Sequence, residues 1–145
     1  MKKLITLLLF GFVFAAFTNN VTAQEDYSAL NLYVSFGGNG AINAQYEIPI
    51  VENVTISPAV VIPFDFDNLS VGVRADYYFD SLMKLPEPWD IWGGVDTGIV
   101  LGGDDNFNIN AHVGVEYKFN QTWGILAEFG GGTASFGGVG VGIHF

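Results

Sequence analysis

Residues 106–119 read NFNINAHVGVEYKF, a stretch in which apolar residues alternate with polar residues or glycine without a break. Successive side chains of a β-strand point to opposite faces, so every second residue shares a face. One face of this segment carries only apolar and aromatic side chains, namely Phe107, Ile109, Ala111, Val113, Val115, Tyr117 and Phe119. The pattern predicts a strand that is dry on one side and wet on the other.

The same period of two recurs along the chain, with turn-type residues between the repeats. The predicted strands are residues 30–36, 42–48, 54–62, 69–79, 91–101, 106–119, 123–129 and 138–145. Three of them alternate less strictly, because the third is apolar on both faces and because Trp92 and Leu126 interrupt the polar faces of the fifth and seventh. No segment has the period of a helix. We therefore predict an all-β chain of eight antiparallel strands, without a helix or a second domain.

The amino terminus has the features of a secretory signal peptide. Lys2 and Lys3 precede an apolar run over residues 4–17, and small residues end the segment at Ala23. That run is shorter than the ~20 residues that a spanning helix needs. We predict a cleaved signal peptide over residues 1–23 and a barrel domain over residues 24–145.

Composition excludes several classes of partner and chemistry. Without the leader, 3 basic residues face 15 acidic ones, since two of the chain's five Lys+Arg are Lys2 and Lys3, so the mature charge is −12. Nucleic acid is not an expected partner of so acidic a chain. The chain has no cysteine, which excludes disulfides, a thiol nucleophile, cysteine metal ligands and a lipid-anchored amino-terminal cysteine.

The length of the mature chain fits a closed transmembrane barrel. Half of the residues are hydrophobic. Past the leader they alternate with polar residues and form no apolar run long enough for a spanning helix. Each strand with its turn takes roughly 15 residues, which matches the ~9–11 residues of a tilted membrane strand plus a short connection. An open sheet edge in lipid would leave backbone groups unpaired, so closure is required. We predict an eight-stranded up-and-down transmembrane β-barrel with its apolar face on lipid.

Aromatic residues gather on the apolar face at one set of strand ends, as expected for a girdle at a membrane interface. The predicted girdle consists of Tyr46, Tyr77, Phe79, Trp89, Tyr117, Phe119 and Trp123.

The opposite face carries charged residues that would point into the barrel. The predicted polar network of the interior consists of Glu47, Arg74, Asp76, Asp96, His112, Glu116, Lys118 and Glu128. Arg74, Asp96 and His112 lie near the middle of consecutive strands and are expected to form one cluster. Lys118 is expected to pair with Glu116, Glu47 or Asp76 in a second layer. A buried arginine must be paired, so these residues are interpreted as a structural plug.

The leader, the eight alternating segments and the terminal Phe145 resemble the small Gram-negative outer-membrane barrels, similar to the outer-membrane-protein-A and X barrel domains. The resemblance covers the mature chain. It implies that the last strand carries an assembly signal read by the barrel-insertion machinery, with Gly140, Ile143 and Phe145 at the matching positions. Gly138 stands where that signal has a polar residue. The longest connection, residues 80–88, falls on the periplasmic side, whereas these families have their long loops outside.

The expected function is a structural, envelope-integrity role in the outer membrane, without catalysis or a cofactor and with lipid and lipopolysaccharide as partners. One alternative is a soluble, lipocalin-like periplasmic carrier of apolar ligands, with the apolar face turned inward. Another is a lipid-modifying enzyme, which would need a histidine at the outer rim or on the lipid face. Acidic loops at residues 65–68 and 102–106 offer oxygen ligands to divalent cations, although solvated turns explain them equally.

Overall fold

The computed structural model describes residues 28–36, 40–102, 108–131 and 136–145. The predicted leader, Phe107 and most of the second acidic loop lie outside these described residues. The strands are β1 (Ala29–Ser35), β2 (Ala41–Val51), β3 (Val54–Pro63), β4 (Ser70–Tyr78), β5 (Trp89–Val100), β6 (Asn108–Lys118), β7 (Trp123–Gly131) and β8 (Phe136–His144).

Each strand pairs with the next in antiparallel fashion, and β8 pairs with β1, so the sheet closes into a barrel. At the closure Leu30 lies opposite Ile143, and Val34 lies opposite Val139. Within the described residues every strand therefore has a neighbouring strand on both sides, and the sheet has no edge strand. The prediction of an all-β, eight-stranded, antiparallel up-and-down barrel is confirmed.

The barrel has two ends that differ in their connections. We call the end where β1 begins and β8 ends the proximal end; there β2 connects to β3, β4 to β5 and β6 to β7. The amide of Phe145 continues the closure past the end of β8 by donating to the carbonyl of Ser28 at 3.1 Å. The opposite, distal end carries the other four connections, among them the turn over residues 64–69.

The proximal connection between β4 and β5 contains a one-turn helix, α1 (Asp80–Met83). The prediction of no helix was wrong, because four residues are too few to display a helical period. The Asp80 carboxylate accepts a bond from the amide of Ile91 at 2.8 Å, and Lys84 ends the turn in the left-handed region at φ 51°. Across the part of the chain that the structure describes, no helix has the length and apolar character needed to cross a membrane.

The alternation of the sequence is the alternation of inside and outside. On β4, Arg74 and Asp76 are buried in the interior of the barrel. Val73, which directly precedes Arg74, is 44% exposed on the outer face. On β1, Asn31, Tyr33 and Ser35 are likewise buried. The interior, which we call the lumen, is thus lined mainly by polar and charged side chains.

Candidate functional site

A fully buried ion pair crosses the lumen. The guanidinium of Arg74, on β4, donates from Nη1 to Oε1 of Glu128 at 2.9 Å and from Nη2 to Oε2 at 2.7 Å. Both side chains have no exposed surface. Two parallel bonds between a guanidinium and a carboxylate combine strength with a fixed geometry. Because Glu128 lies on β7, the pair braces strands that are not neighbours in the sheet.

Two further side chains complete the binding of the guanidinium. Asp76 accepts from Nε at 3.4 Å and from Nη2 at 3.3 Å. The Tyr33 hydroxyl accepts from Nη1 at 3.1 Å and donates to Glu128 at 3.2 Å. A buried arginine is stable only when its donors meet acceptors, and here the acceptors come from β1, β4 and β7.

His112, on β6, continues the network from Asp76. Its Nε2 lies 2.5 Å from Oδ1 of Asp76, and its Nδ1 lies 3.0 Å from Oδ2 of Asp96. An ionised carboxylate can only accept, so two such partners suit an imidazolium that donates from both nitrogens. The three residues predicted to cluster, Arg74, Asp96 and His112, are therefore brought together, and Asp76 is the link between them.

A second layer of polar contacts lies toward the proximal end. Glu47 accepts from the Tyr78 hydroxyl at 2.5 Å and from Nδ2 of Asn31 at 2.9 Å. Glu116 lies 2.9 Å from Nε2 of His144. Each carboxylate thus has a partner inside the lumen.

Lys118 forms an ion pair with Asp90, with Nζ 2.8 Å from Oδ2. The prediction that Lys118 pairs with Glu116, Glu47 or Asp76 missed this partner. Asp90 is the second residue of β5, but it lay outside the predicted strand and was not counted as inward. The Lys118 side chain remains 28% exposed and that of Asp90 6% exposed, so this ion pair is in contact with water, unlike the pair of Arg74 and Glu128.

Aromatic residues in the lumen were not included in the predicted network. Tyr33, Tyr78, Trp92 and Leu126 form a buried cluster, and Nε1 of Trp92 donates to Oε2 of Glu128 at 3.2 Å. Residue parity was the signal available in the sequence, because all four fall on the polar face of their strands. An aromatic ring with a polar atom can fill space and still satisfy a hydrogen bond.

Gly114 makes room for the indole of Trp92. A Cβ at Gly114 would lie 2.2 Å from Cε2 and Cζ2 of Trp92. We expect Gly114→Ala to lower stability by about 1–3 kcal/mol, as overpacking does, because Trp92 cannot move without losing its bond to Glu128. Urea unfolding followed by tryptophan fluorescence measures the loss. Gly131→Ala is the matched control, since no atom lies within 4 Å of a Cβ there, and equal midpoints for both variants would contradict the account.

The outer surface carries the predicted aromatic girdle residues at the proximal end. Trp89 packs on Tyr117 with ring centroids 4.9 Å apart, and Tyr77 packs on Phe79 at 5.0 Å. Five of the seven girdle residues are exposed, namely Tyr77, Trp89, Tyr117, Phe119 and Trp123, while Tyr46 and Phe79 are half-buried. Trp89, expected just before β5, is its first residue, and Phe79 follows the end of β4.

Two residues of the predicted assembly signal, Gly140 and Ile143, lie on the closing strand β8, and the third, Phe145, directly follows it. Gly140 lies opposite Tyr33 of β1, and Ile143 lies opposite Leu30. A Cβ at Gly140 would be 2.1 Å from the carbonyl oxygen of Leu32, so glycine permits this close approach of β8 to β1. Phe145 is exposed and packs on Tyr46 with centroids 6.4 Å apart.

The described part of the acidic loops is an exposed turn. The amide of Asp67 donates to Oδ1 of Asp65 at 3.1 Å, the local bond by which aspartate stabilises turns. Residues 103–107 lie outside the described residues. Among the residues with described coordinates, no group of three or more His, Cys, Asp or Glu side chains is arranged to hold a metal ion.

Comparison of the chain with protein-family models, with curated proteins and with solved structures gave no match. Function must therefore be inferred from the residues and geometry of the barrel itself. The network joins side chains of five strands, β1, β4, β5, β6 and β7, through paired charges. Such an arrangement holds a barrel in one shape.

Proposed function

We propose that this chain is a small integral protein of the bacterial outer membrane, with a structural role in envelope integrity and no catalytic activity. The observation that carries the proposal is the reversed polarity of the barrel. Its buried interior holds an ion-pair network around Arg74 and Glu128, while its outer face exposes aliphatic side chains. A barrel that places charge inside and hydrocarbon outside is suited to lipid.

The exposed aliphatic residues are spread around the barrel rather than confined to one spot. They include Leu32, Ile42, Ile56, Val73, Val95, Ile99, Ile109, Val113, Ile125, Val139 and Val141. Soluble monomers rarely expose contiguous apolar patches beyond a few hundred Å². Burial of this surface in a bilayer would remove it from water and so supply the hydrophobic stabilisation that the polar lumen does not.

The aromatic girdle supports a defined depth and orientation. Tryptophan and tyrosine favour the membrane interface because their rings are apolar and their polar atoms can remain hydrated. Trp89, Tyr117 and Trp123 would mark the membrane interface at the proximal end, where β1 begins and β8 ends. With an amino-terminal leader for export, this end would face the periplasm.

The partners follow from this placement. The aliphatic belt would contact lipid and lipopolysaccharide, and the last strand, with Gly140, Ile143 and Phe145, would be read by the barrel-assembly machinery. Divalent cations bound to lipid phosphates are proposed partners of the distal acidic loops at residues 65–68 and 102–106.

The two alternative functions require other geometries. A carrier of apolar ligands needs an apolar lumen. In this barrel an apolar ligand in the lumen would have to displace the hydrogen bonds and ion pairs of Arg74, Glu128 and His112. A lipid-modifying enzyme of the kind considered needs a histidine at the outer rim or on the outer face. His112 lies in the lumen between two aspartates, and His144 lies toward the proximal end beside Glu116.

Cell fractionation combined with gel electrophoresis tests the proposal. We expect the protein in the outer-membrane fraction, and we expect its mobility in SDS to change on boiling, because a closed barrel resists SDS until it is heated. Osmotic shock provides the control, since it releases soluble periplasmic proteins. An unshifted band in the shock fluid, with a co-purifying apolar ligand, would overturn the proposal in favour of the carrier.

A further inference from the structure

One wall of the lumen carries buried polar side-chain atoms that have no hydrogen-bond partner among the described residues. Among the described residues, six of the eight such atoms lie on three adjacent strands, β1 to β3. They are Oδ1 of Asn31, Oδ1 of Asn43, Oε1 and Nε2 of Gln45, Oγ1 of Thr55 and Oγ of Ser57. We call these five residues the polar strip. Each is at most 2% exposed, so bulk solvent does not supply the missing partners.

The strip is continuous and borders the ion-pair network. Asn31 lies directly opposite Gln45 across β1 and β2. Opposite Gln45 on β3 is Ala59, whose side chain has no polar atom to pair with the amide. On the other side of β3, Ser57 lies opposite Arg74 and Thr55 lies opposite Asp76. The polar strip thus lines the lumen from β1 to the edge of the charged network.

We infer that the polar strip is a binding site for a small cluster of water molecules held inside the barrel. A buried water makes about three hydrogen bonds, so two or three waters would satisfy the six atoms. Leaving so many buried polar groups unpaired would offset a large share of a fold's small net stability. The lumen is then closed partly by paired charges and partly by bound water.

The donor and acceptor types select water over an ion. The strip combines amide oxygens, which only accept, with Nε2 of Gln45, which only donates, and two hydroxyls that do both. A cation would leave Nε2 unpaired, and an anion would leave the amide oxygens unpaired. Because neither atom of the Gln45 amide has a partner within the described part of the chain, exchanging the two atoms by rotation of the amide leaves the argument unchanged. This inference concerns the lumen and does not depend on lipid around the outer face.

The test is urea unfolding of the variants Thr55→Val and Ser57→Ala. The protein is kept in lipid vesicles if it fractionates with the outer membrane, and in buffer if it fractionates as a soluble protein. If bound water pairs with the polar strip, each variant removes one hydroxyl that bonds to this water, and the unfolding midpoint falls. Ser35→Ala calibrates the shift, because the Ser35 hydroxyl donates directly to the carbonyl of Ala41 at 3.4 Å. We expect the two strip variants to lose about as much as this control. Raised midpoints would overturn the inference, since an apolar replacement relieves a group that is truly unpaired.

Two measurements on the wild-type chain keep the inference testable if a variant does not fold. Nuclear Overhauser transfer from water to the side-chain amide of Gln45 should be detected in the refolded protein, and its absence would overturn the inference. The unfolding midpoint should be the same in sodium chloride and in N-methylglucamine chloride at equal ionic strength. A saturable rise of the midpoint with sodium would assign the site to a cation instead of water.

Discussion

Replacing Arg74 by methionine should destabilise the barrel by about 3–5 kcal/mol, the usual cost of removing one partner of a buried ion pair. The guanidinium contacts Glu128, Asp76 and Tyr33. Its loss removes the cation bound to Glu128 and leaves Asp76 with His112 as its cationic partner. The free energy of unfolding, obtained from urea titrations followed by tryptophan fluorescence, measures the effect.

Lys118→Met is the matched control for Arg74→Met, because it also replaces a cation by methionine in an ion pair. Lys118 is partly exposed at the rim, and pairs in contact with water contribute only about 0–1 kcal/mol. A double-mutant cycle of Arg74→Met with Glu128→Gln should show coupling, since the second change removes a charge that the first leaves unpaired. If Arg74→Met had the same free energy of unfolding as the wild type, the ion-pair network would not stabilise the barrel.

Replacing Val113 by arginine should destabilise the protein folded in lipid vesicles by about 2–4 kcal/mol, the cost of a cation at the bilayer midplane. Val113 is at the centre of β6, is 57% exposed on the outer face, and lies midway between Ile109 and Tyr117. From Ile109 to Tyr117 is about 26 Å of strand, which on tilting fits within the ~25 Å apolar band of a membrane barrel.

Ile109→Arg is the control on the same strand and the same face. Ile109 is 71% exposed and lies toward the distal end, where an arginine near the interface costs about 0–1 kcal/mol. A difference between the two variants in lipid therefore reports depth in the bilayer. If the outer face were in water, both replacements would change stability by less than about 0.5 kcal/mol, as surface substitutions do, and the membrane proposal would fail.

The sequence predicts which side chains point into the lumen, because successive side chains of a strand point to opposite faces. Arg74, Asp96, His112 and Glu128 were assigned to the lumen from parity alone, and their side chains are buried. Parity also held the signal for Tyr33 and Trp92, but aromatic residues on a polar face were not interpreted as members of the network. Asp90 was missed for another reason: strand ends depend on turn geometry, and the predicted strand began two residues too late, at Ile91 instead of Trp89.

Partners across the lumen could not be predicted from the chain. Arg74 and Glu128 lie 54 positions apart on strands that are not neighbours, and no local pattern connects them. Their meeting depends on how far each strand is staggered against the next around the whole barrel, a quantity set by closure. The polar strip has the same origin, because the arrangement of all the other lumen side chains decides that the Gln45 amide has no partner among the described residues.

The sequence by itself determined the strand number and the polarity of each face, because the period of two is a local property of the backbone. It also determined the antiparallel order, because the connections are too short for a crossover between parallel strands. Only the tertiary structure decided which charges pair, that Asp76 links Arg74 to His112, that Lys118 binds Asp90, and that a single helical turn follows β4. These features depend on stagger, on side-chain reach across the lumen and on packing at the rim. Each of these arises only when the sheet closes on itself.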